Sequence, residues 1–389
     1  MKLMTLETDP SYGGGSEAMA LAISRELAAR GHDVFLLHEC NGTMLPAYRE
    51  FVAGSFQLKL PGFALRAPVS TIRCAMRIGA LARKQGIDAV LSSHLGYLRI
   101  AALVRVLYGV PFCFHLGLPA AGLPRSIRLA FRWIGAGVAP SHHTLKSWHR
   151  EGWPLERLVT VPNWVDTKRF SPTVDRPLLR RELGIPRDSR CIAFVGRICP
   201  EKGIETLIRA FRQVRSRFEK ATLVVVGKLE SGYEPRFNQL IGQLDENVRQ
   251  AMIVRPVSST PEKYFASADV VCVPSCWDEP FGLTLLEAMA CALPVVSTTV
   301  GMFAEIIGDH HQDLLVSPGD HVALAERLAW WLAQPDASKE RGLELRQRVT
   351  QYFGPDKCMD TYESILRSMV KDAPKTSALL AYPSNCERA

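Results

Sequence analysis

Glu279 and Glu287 stand eight residues apart in the run Asp278-Glu279-Pro280-Phe281-Gly282-Leu283-Thr284-Leu285-Leu286-Glu287. The run follows an apolar stretch, Val270–Ser275, that reads as a buried strand, and it opens a helix. A glycine at the mouth of a helix lets a ligand approach the backbone. The free N–H groups of Gly282 and Leu283, with the helix dipole behind them, suit a phosphate. Glu279 precedes the helix and Glu287 lies about two turns into it. One carboxylate can therefore face a ligand's reactive end while the other reaches a hydroxyl further along. A second strand–loop–helix junction, Val195-Gly196-Arg197-Ile198-Cys199-Pro200-Glu201-Lys202-Gly203, carries two cations. Arg197 offers a planar fork to phosphate oxygens and Lys202 a point charge. Together they can neutralise a diphosphate leaving group without a metal ion.

Such junctions need parallel strands whose ends converge. The chain has 389 residues, more than one core usually supports, so two domains are expected. In the first half, Lys2–Leu6, Val34–His38, Asp88–Ser92, Phe112–His115 and Gly137–Pro140 read as strands. Ser16–Arg30, Val69–Gln85 and Leu98–Tyr108 read as the helices between them. A like series follows Pro172. Its strands are Cys191–Gly196, Ala221–Gly227, Met252–Arg255, Val270–Pro274 and Pro294–Ser297. Its helices are Gly203–Phe218, Phe237–Asn247, Pro261–Ala268, Leu283–Ala290 and His321–Ala333. The expected fold is α/β, two doubly wound domains. A last amphipathic helix, Met359–Val370, precedes a loose tail from Asp372. The expected divisions are 1–172, 173–350, a helix over 351–371 that crosses back to the first domain, and the tail 372–389.

Charge is unevenly placed. Up to Pro172 there are 20 Lys and Arg against 11 Asp and Glu; beyond it there are 27 against 28. The net +8 therefore belongs to the first half, and between Glu50 and Glu151 the lone acid is Asp88. That half is expected to meet something anionic. The ten cysteines are scattered with no CxxC pair, so reduced, buried thiols are expected rather than a zinc site. The start, Met1-Lys2-Leu3-Met4-Thr5-Leu6, reads as a strand rather than a signal peptide. The apolar stretch 100–118 is interrupted by Arg105 and Pro111 and falls short of a membrane span. A cytoplasmic protein is expected, at most peripheral on the membrane's cytoplasmic face.

With these motifs in view, the sequence resembles the retaining glycosyltransferases of family 4, also called group 1, which have the GT-B fold. The matching runs are SYGGGSE, VPNWVD, FVGRICPEKG, EPFGLTLLE, and EAMACALPVVSTTVGMFAEI leading into LLVSPGD, in the family's order. The resemblance implies two Rossmann-like domains facing across a cleft, the first on the acceptor side and the second binding a nucleotide-sugar. It implies metal-independent, retaining transfer of a hexose from a nucleoside diphosphate sugar, UDP rather than GDP, to an acceptor hydroxyl. The nucleotide-sugar is a co-substrate, and no further cofactor is expected.

Residue by residue, it implies that Arg197 and Lys202 hold the diphosphate. Glu279 would contact the donor sugar, and the N–H groups of Phe281, Gly282 and Leu283 its hydroxyls and phosphate. Glu287 would bind the ribose. Gly227 and the backbone at Pro256 and Val257 would line the nucleotide site. Gly14 and Gly15 would approach the diphosphate, and His115 would sit beside the sugar. Asn163 reads as no more than a cap of the turn into the interdomain region. Three positions depart from the family pattern. Pro256 stands where a glycine is usual and removes an N–H from the base-binding loop. Gly301-Met302 replaces a Gly-Gly pair, and Asp313 replaces a glycine.

Two other functions compete. Gly13-Gly14-Gly15-Ser16-Glu17-Ala18 fits the dinucleotide pattern G-x-G-x-x-A, with Glu39 as a ribose binder, which would make an NAD(P)-dependent oxidoreductase. A catalytically silent subunit that binds a sugar nucleotide is the second. The acceptor is expected to be a glycan, a sugar phosphate or a lipid-linked glycan, as in polysaccharide, glycolipid or other glycoconjugate synthesis. Arg125, Arg128 and Arg132 recur at helical spacing amid apolar residues and would suit an anionic membrane surface. Nucleic acid is not expected as a partner, since no recognition module is present.

Overall fold

The computed structural model describes residues 1–11, 15–58, 68–172 and 175–371. Gly13, Gly14 and the tail from Asp372 lie outside them. The chain forms two compact units, Met1–Asn163 together with the segment from Pro355, and Trp164–Gly354.

The first unit holds strands β1 (Lys2–Glu7), β2 (Asp33–His38), β3 (Gly54–Gln57), β4 (Ala89–Ser92), β5 (Phe112–His115), β6 (Ala136–Ala139) and β7 (Leu158–Thr160). They pair in parallel in the order β3-β2-β1-β4-β5-β6-β7. The order reverses between β1 and β4, which makes the carboxyl ends of those strands the expected ligand crevice. The strands read as continuous apolar runs because helices cover both faces. On one face, Cys74, Ile78, Ile100, Val104, Phe131 and Trp148 join the sheet in one core. The helix Gly15–Ala29 packs against the terminal helix Pro355–Val370. Arg30 Nη1 meets Asp360 Oδ1 at 2.6 Å and His32 Nε2 meets Glu363 Oε1 at 3.1 Å. Met369 fills the space above Gly135, where a Cβ would come within 2.5 Å of its methyl carbon.

The second unit holds β8 (Arg190–Val195), β9 (Ala221–Val226), β10 (Met252–Arg255), β11 (Val270–Val273), β12 (Val295–Thr298) and β13 (Leu315–Val316). Their order is β10-β9-β8-β11-β12-β13, again parallel, with the reversal between β8 and β11. Two separate α/β units of this kind are what the strand pattern implies.

The structure changes several local expectations. The segment expected as one helix over Phe237–Asn247 is two helices, Glu234–Gly242 and Glu246–Gln250; Gly242 ends the first, and Asp245 is extended at ψ 146°. The helix through Arg125 stops at Ala130 and tightens into a 3-10 turn, Phe131–Trp133. Arg128 is tied to Glu151 at 2.8 Å and to the Leu123 carbonyl at 3.0 Å, so it departs from the proposed arginine row. The helices His142–Arg150 and Pro335–Tyr352 and the short strands β3, β7 and β13 were not legible beforehand. The thiols are free among the described residues, but Cys40 and Cys276 are exposed rather than buried.

Candidate active site

In the second unit the candidate residues collect where β8, β9 and β11 end. The loop after β8 carries Arg197, turns through Pro200–Lys202, and enters the helix Ile204–Arg217 at Gly203. Gly203 has φ 72°, and a Cβ there would sit 1.8 Å from the Pro274 carbonyl oxygen. That contact lays the Lys202 loop on the exit of β11. Lys202 Nζ thus reaches Glu279 Oε1 in an ion pair and lies 5.5 Å from the centre of the Trp277 ring. Ser275 donates its hydroxyl to the same Glu279 oxygen at 2.6 Å. Glu279 is buried, at 5% exposure, so a carboxylate here needs both partners.

Gly282, with φ 105°, starts the helix Leu283–Ala290 and lies so close to Phe303 that a Cβ would meet its ring at 2.4 Å. The first N–H groups of that helix, Leu283 among them, have no carbonyl one turn before them. Phe281 buries its ring edge-on against Phe353 and anchors the turn. Arg197 is exposed and meets Glu230 Oε1 at 3.0 Å. Gly227 follows β9 and lies against the backbone of Gly196.

Glu287 lies on the same helix, half-buried. Burial pushes its carboxyl up to about 8; the nearby Arg169 guanidinium opposes the shift and Glu262 adds to it. Arg169 in turn bonds Glu262 at 2.9 Å and the Ser259 carbonyl at 2.6 Å. It therefore ties the Glu287 neighbourhood to the loop after β10, where Pro256 and Val257 are exposed. Sequence reasoning missed Ser275, Trp277, Glu230 and Arg169. Ser275, four residues before Glu279 in the same loop, carried the clearest available signal.

In the first unit, His115 ends β5 and is buried. Its Nδ1 lies 2.9 Å from the Tyr362 hydroxyl, and burial pushes its imidazole down to about 4. His115 is thus neutral near pH 7. Its Nε2 has no hydrogen-bond partner among the described residues, and neither do Glu7 Oε1 and Ser93 Oγ. All three residues line one small cavity at the ends of β1, β4 and β5. Glu7 Oε2 lies 2.9 Å from His94 Nε2. Burial raises the Glu7 pKa and by itself would lower that of His94, but the Glu7 bond and charge leave His94 raised. Neither Glu7 nor His94 was singled out from sequence, although both stand at the topological switch point. Gly15 is the exposed first residue of its helix; Gly14 lies outside the described residues. Glu39, which a dinucleotide reading puts on a ribose, is instead engaged by the Tyr97 hydroxyl. Asn163 is buried, and its Oδ1 has no partner among the described residues.

One group of donors spaced for a metal ion occurs among the described residues, Cys199, Glu201 and Glu230. Arg197 already occupies Glu230. No helix among the described residues is long and apolar enough to cross a membrane.

Known proteins share this architecture. The profile of the family "Glycosyl transferases group 1" matches residues 175–352, and that of "Glycosyltransferase Family 4" matches residues 13–169. A D-inositol 3-phosphate glycosyltransferase of Xylanimonas cellulosilytica is 28% identical, over 93% of each chain. A phosphatidyl-myo-inositol mannosyltransferase of Mycobacterium leprae is 32% identical over 56% of this chain and 57% of its own. The Anabaena protein HepE, solved with UDP and glucose, superposes with a TM-score of 0.82 at 19% identity, covering 95% of this chain and 100% of its own. Two parallel-sheet units, the glutamate pair on its strand–helix turn, and both family matches converge: the chain belongs to glycosyltransferase family 4, the group 1 glycosyl transferases, and has the GT-B fold.

Proposed function

We propose that this glycosyltransferase moves a hexose from a UDP-sugar to an acceptor hydroxyl with retention of anomeric configuration. The observation that carries the reading is the cluster Lys202–Glu279–Ser275 beside the start of the helix Leu283–Ala290. It brings a cation onto a buried carboxylate four residues before the first N–H groups of that helix. In this reading the glycosidic C–O bond to the diphosphate breaks, and a new C–O bond forms on the same face of the sugar. The acceptor's proton passes to the departing phosphate oxygen, so no separate protein base is required. Arg197, Lys202 and the helix start stabilise the negative charge that develops, and they do so without calling on a metal ion. Glu279 faces the sugar, and Glu287 takes a ribose hydroxyl. His115, neutral through burial, is assigned to the sugar as well and would add no positive charge against an oxocarbenium-like centre. UDP is preferred because HepE was solved with it.

The acceptor is proposed to be anionic, either a phosphorylated glycan or one linked to a lipid. The relatives' names point to inositol phosphate and phosphatidylinositol, and the first half of this chain carries the surplus positive charge. The enzyme would then work at an anionic membrane surface. A panel of UDP- and GDP-sugars scored by acceptor-free donor hydrolysis and by thermal shift tests the donor assignment. Stabilisation by UDP-sugars that disappears in Lys202→Ala is the expected result. A preference for GDP-sugars, or equal response in wild type and Lys202→Ala, would overturn it.

A further inference from the structure

We propose that one helix layer of the first unit is a docking surface for an anionic lipid bilayer. The layer comprises Pro68–Gln85, Leu98–Tyr108 and Arg125–Ala130 with its 3-10 turn Phe131–Trp133. Its inner side belongs to the sheet's core through Cys74, Ile78, Ile100, Val104 and Phe131. The outer side of such helices is ordinarily polar. Here Val69, Ile72 and Met76 stand out at 67, 47 and 52% exposure, three and four residues apart. Val106, Leu107, Leu129 and Trp133 are exposed as well.

The helices that carry these residues pack on one another. The Tyr108 hydroxyl donates to the Met76 carbonyl at 3.2 Å, and its ring covers Gly79, where a Cβ would come within 2.2 Å. The end of the second helix therefore lies against the middle of the first. The second helix also packs on the Arg125–Ala130 segment and its following turn.

Charge identifies the occupant. Between Val69 and Trp133 there are nine Lys and Arg, and the lone acid, Asp88, accepts from the Lys2 backbone N–H at 2.8 Å. The segment thus carries +8, as large as the surplus of the whole chain. Arg73, Arg77, Arg83 and Lys84 are exposed on the same helix as Val69, Ile72 and Met76. Arg73, Arg83, Lys84, Arg125 and Arg132 make no ion pair among the described residues. Exposed apolar residues of the second unit sit in mixed charge instead; Leu343, for example, stands between Glu340 and Glu344. Cations draw an anionic headgroup layer, and aliphatic side chains among them gain by entering the acyl boundary. Their own alkyl stems bury along the same surface. A nucleic acid would satisfy the cations but leave Val69, Ile72, Met76, Val106 and Leu107 in water, because sequence-tolerant nucleic-acid grooves rely on aromatic stacking.

Flotation of the full chain with phosphatidylcholine vesicles, with and without phosphatidylglycerol, tests this and needs no sugar donor. A failure here leaves the transfer reaction standing, and a failure of donor binding leaves the docking face standing. The chain should float with the anionic vesicles alone and be released at about 1 M salt. Ile72→Asp with Met76→Asp, and separately Val106→Asp with Leu107→Asp, should each lower the bound fraction at least about tenfold. Replacing Arg73, Arg83 or Lys84 by Gln should weaken partitioning roughly fivefold per charge. Leu343→Asp, on the second unit, should bind as wild type does. All these side chains are exposed, so an unchanged thermal midpoint is expected and serves as the check on folding. A wild-type chain that stays with the unbound fraction, as it would if the face received an acidic protein, overturns the proposal. So does binding that ignores lipid charge or survives both apolar double substitutions.

Discussion

Lys202 and Glu279 form a buried contact to which the proposed transfer also assigns chemistry. Glu279 is buried, so removing its cation leaves a carboxylate with Ser275 as its remaining side-chain partner. Lys202→Ala should therefore cost about 3 kcal/mol of stability, the scale for breaking a buried pair. It should also cut transfer about 10²- to 10³-fold, the scale for losing one charge-stabilising donor. Adding Glu279→Gln to Lys202→Ala should restore most of the stability, read by urea denaturation, and none of the transfer. Restored transfer would show that the pair is structural. Glu287 makes a second test through pH. Its folded-state pKa is raised to about 8 from 4.5, so its contribution to stability is fully present below pH 4.5 and is lost as pH rises through about 8. Glu287→Gln should flatten the fall in urea midpoint between pH 5 and pH 9. Equal slopes in the two proteins would remove the burial account.

At the scale of elements, the strand-to-helix turns do the positioning. Gly203 is needed twice over, for its φ of 72° and for a contact in which a Cβ would overlap the Pro274 carbonyl. Gly203→Ala should push the Lys202 loop off the exit of β11. Nucleotide-sugar affinity should fall at least about tenfold, and the thermal midpoint should drop by several degrees. Isothermal titration and calorimetry measure the two effects. The same scale explains which elements were legible. Helices such as Leu98–Tyr108 and His321–Ala333 announce themselves because an apolar face recurs at helical spacing. Pro335–Tyr352 has a largely polar sequence with Leu345 and Val349 as its buried apolar anchors, so its pattern is faint. Its existence depends on tertiary contact, for Gly342 lies against the Ala292 carbonyl where a Cβ would come within 2.0 Å. The break at Gln243–Asp245 went unread because Val248 continues the apolar spacing beyond it.

For the molecule as a whole, the chain's return to the first unit is a stability device. Cys358, Met359, Tyr362, Ile365, Leu366 and Met369 are all buried in the terminal helix. At about 1.5–3 kcal/mol for each fully buried large side chain, their sum rivals the ~5–15 kcal/mol that keeps a typical domain folded. A chain ending at Gly354 should leave Gly15–Ala29 unprotected in hydrogen exchange while the second unit keeps its slow amides. Retained protection in both would contradict this. The same truncation removes Tyr362, the hydrogen-bond partner of His115 Nδ1. Charge is also a property of the whole. The surplus lies in the first half, whereas Arg197 and Lys202 each have an acidic partner in the second. The two cations assigned to the diphosphate therefore do not account for the surplus.

What the sequence determined by itself is the repeated strand–turn–helix order, the glutamates eight residues apart, the cations of the first turn and the position of the excess charge. These are local in the chain: hydrophobic period, glycine placement and residue counts need no long-range contact to be read. What only the tertiary structure decided is partnership. Ser275 on Glu279, Glu230 on Arg197, Arg169 beside Glu287, Tyr362 on His115 and Glu7 on His94 join residues separated by 4 to 247 positions. Nothing in a linear pattern distinguishes such a partner from an ordinary surface or core residue. The selection is made when parallel strands bring their carboxyl ends together and burial makes each polar group find a partner.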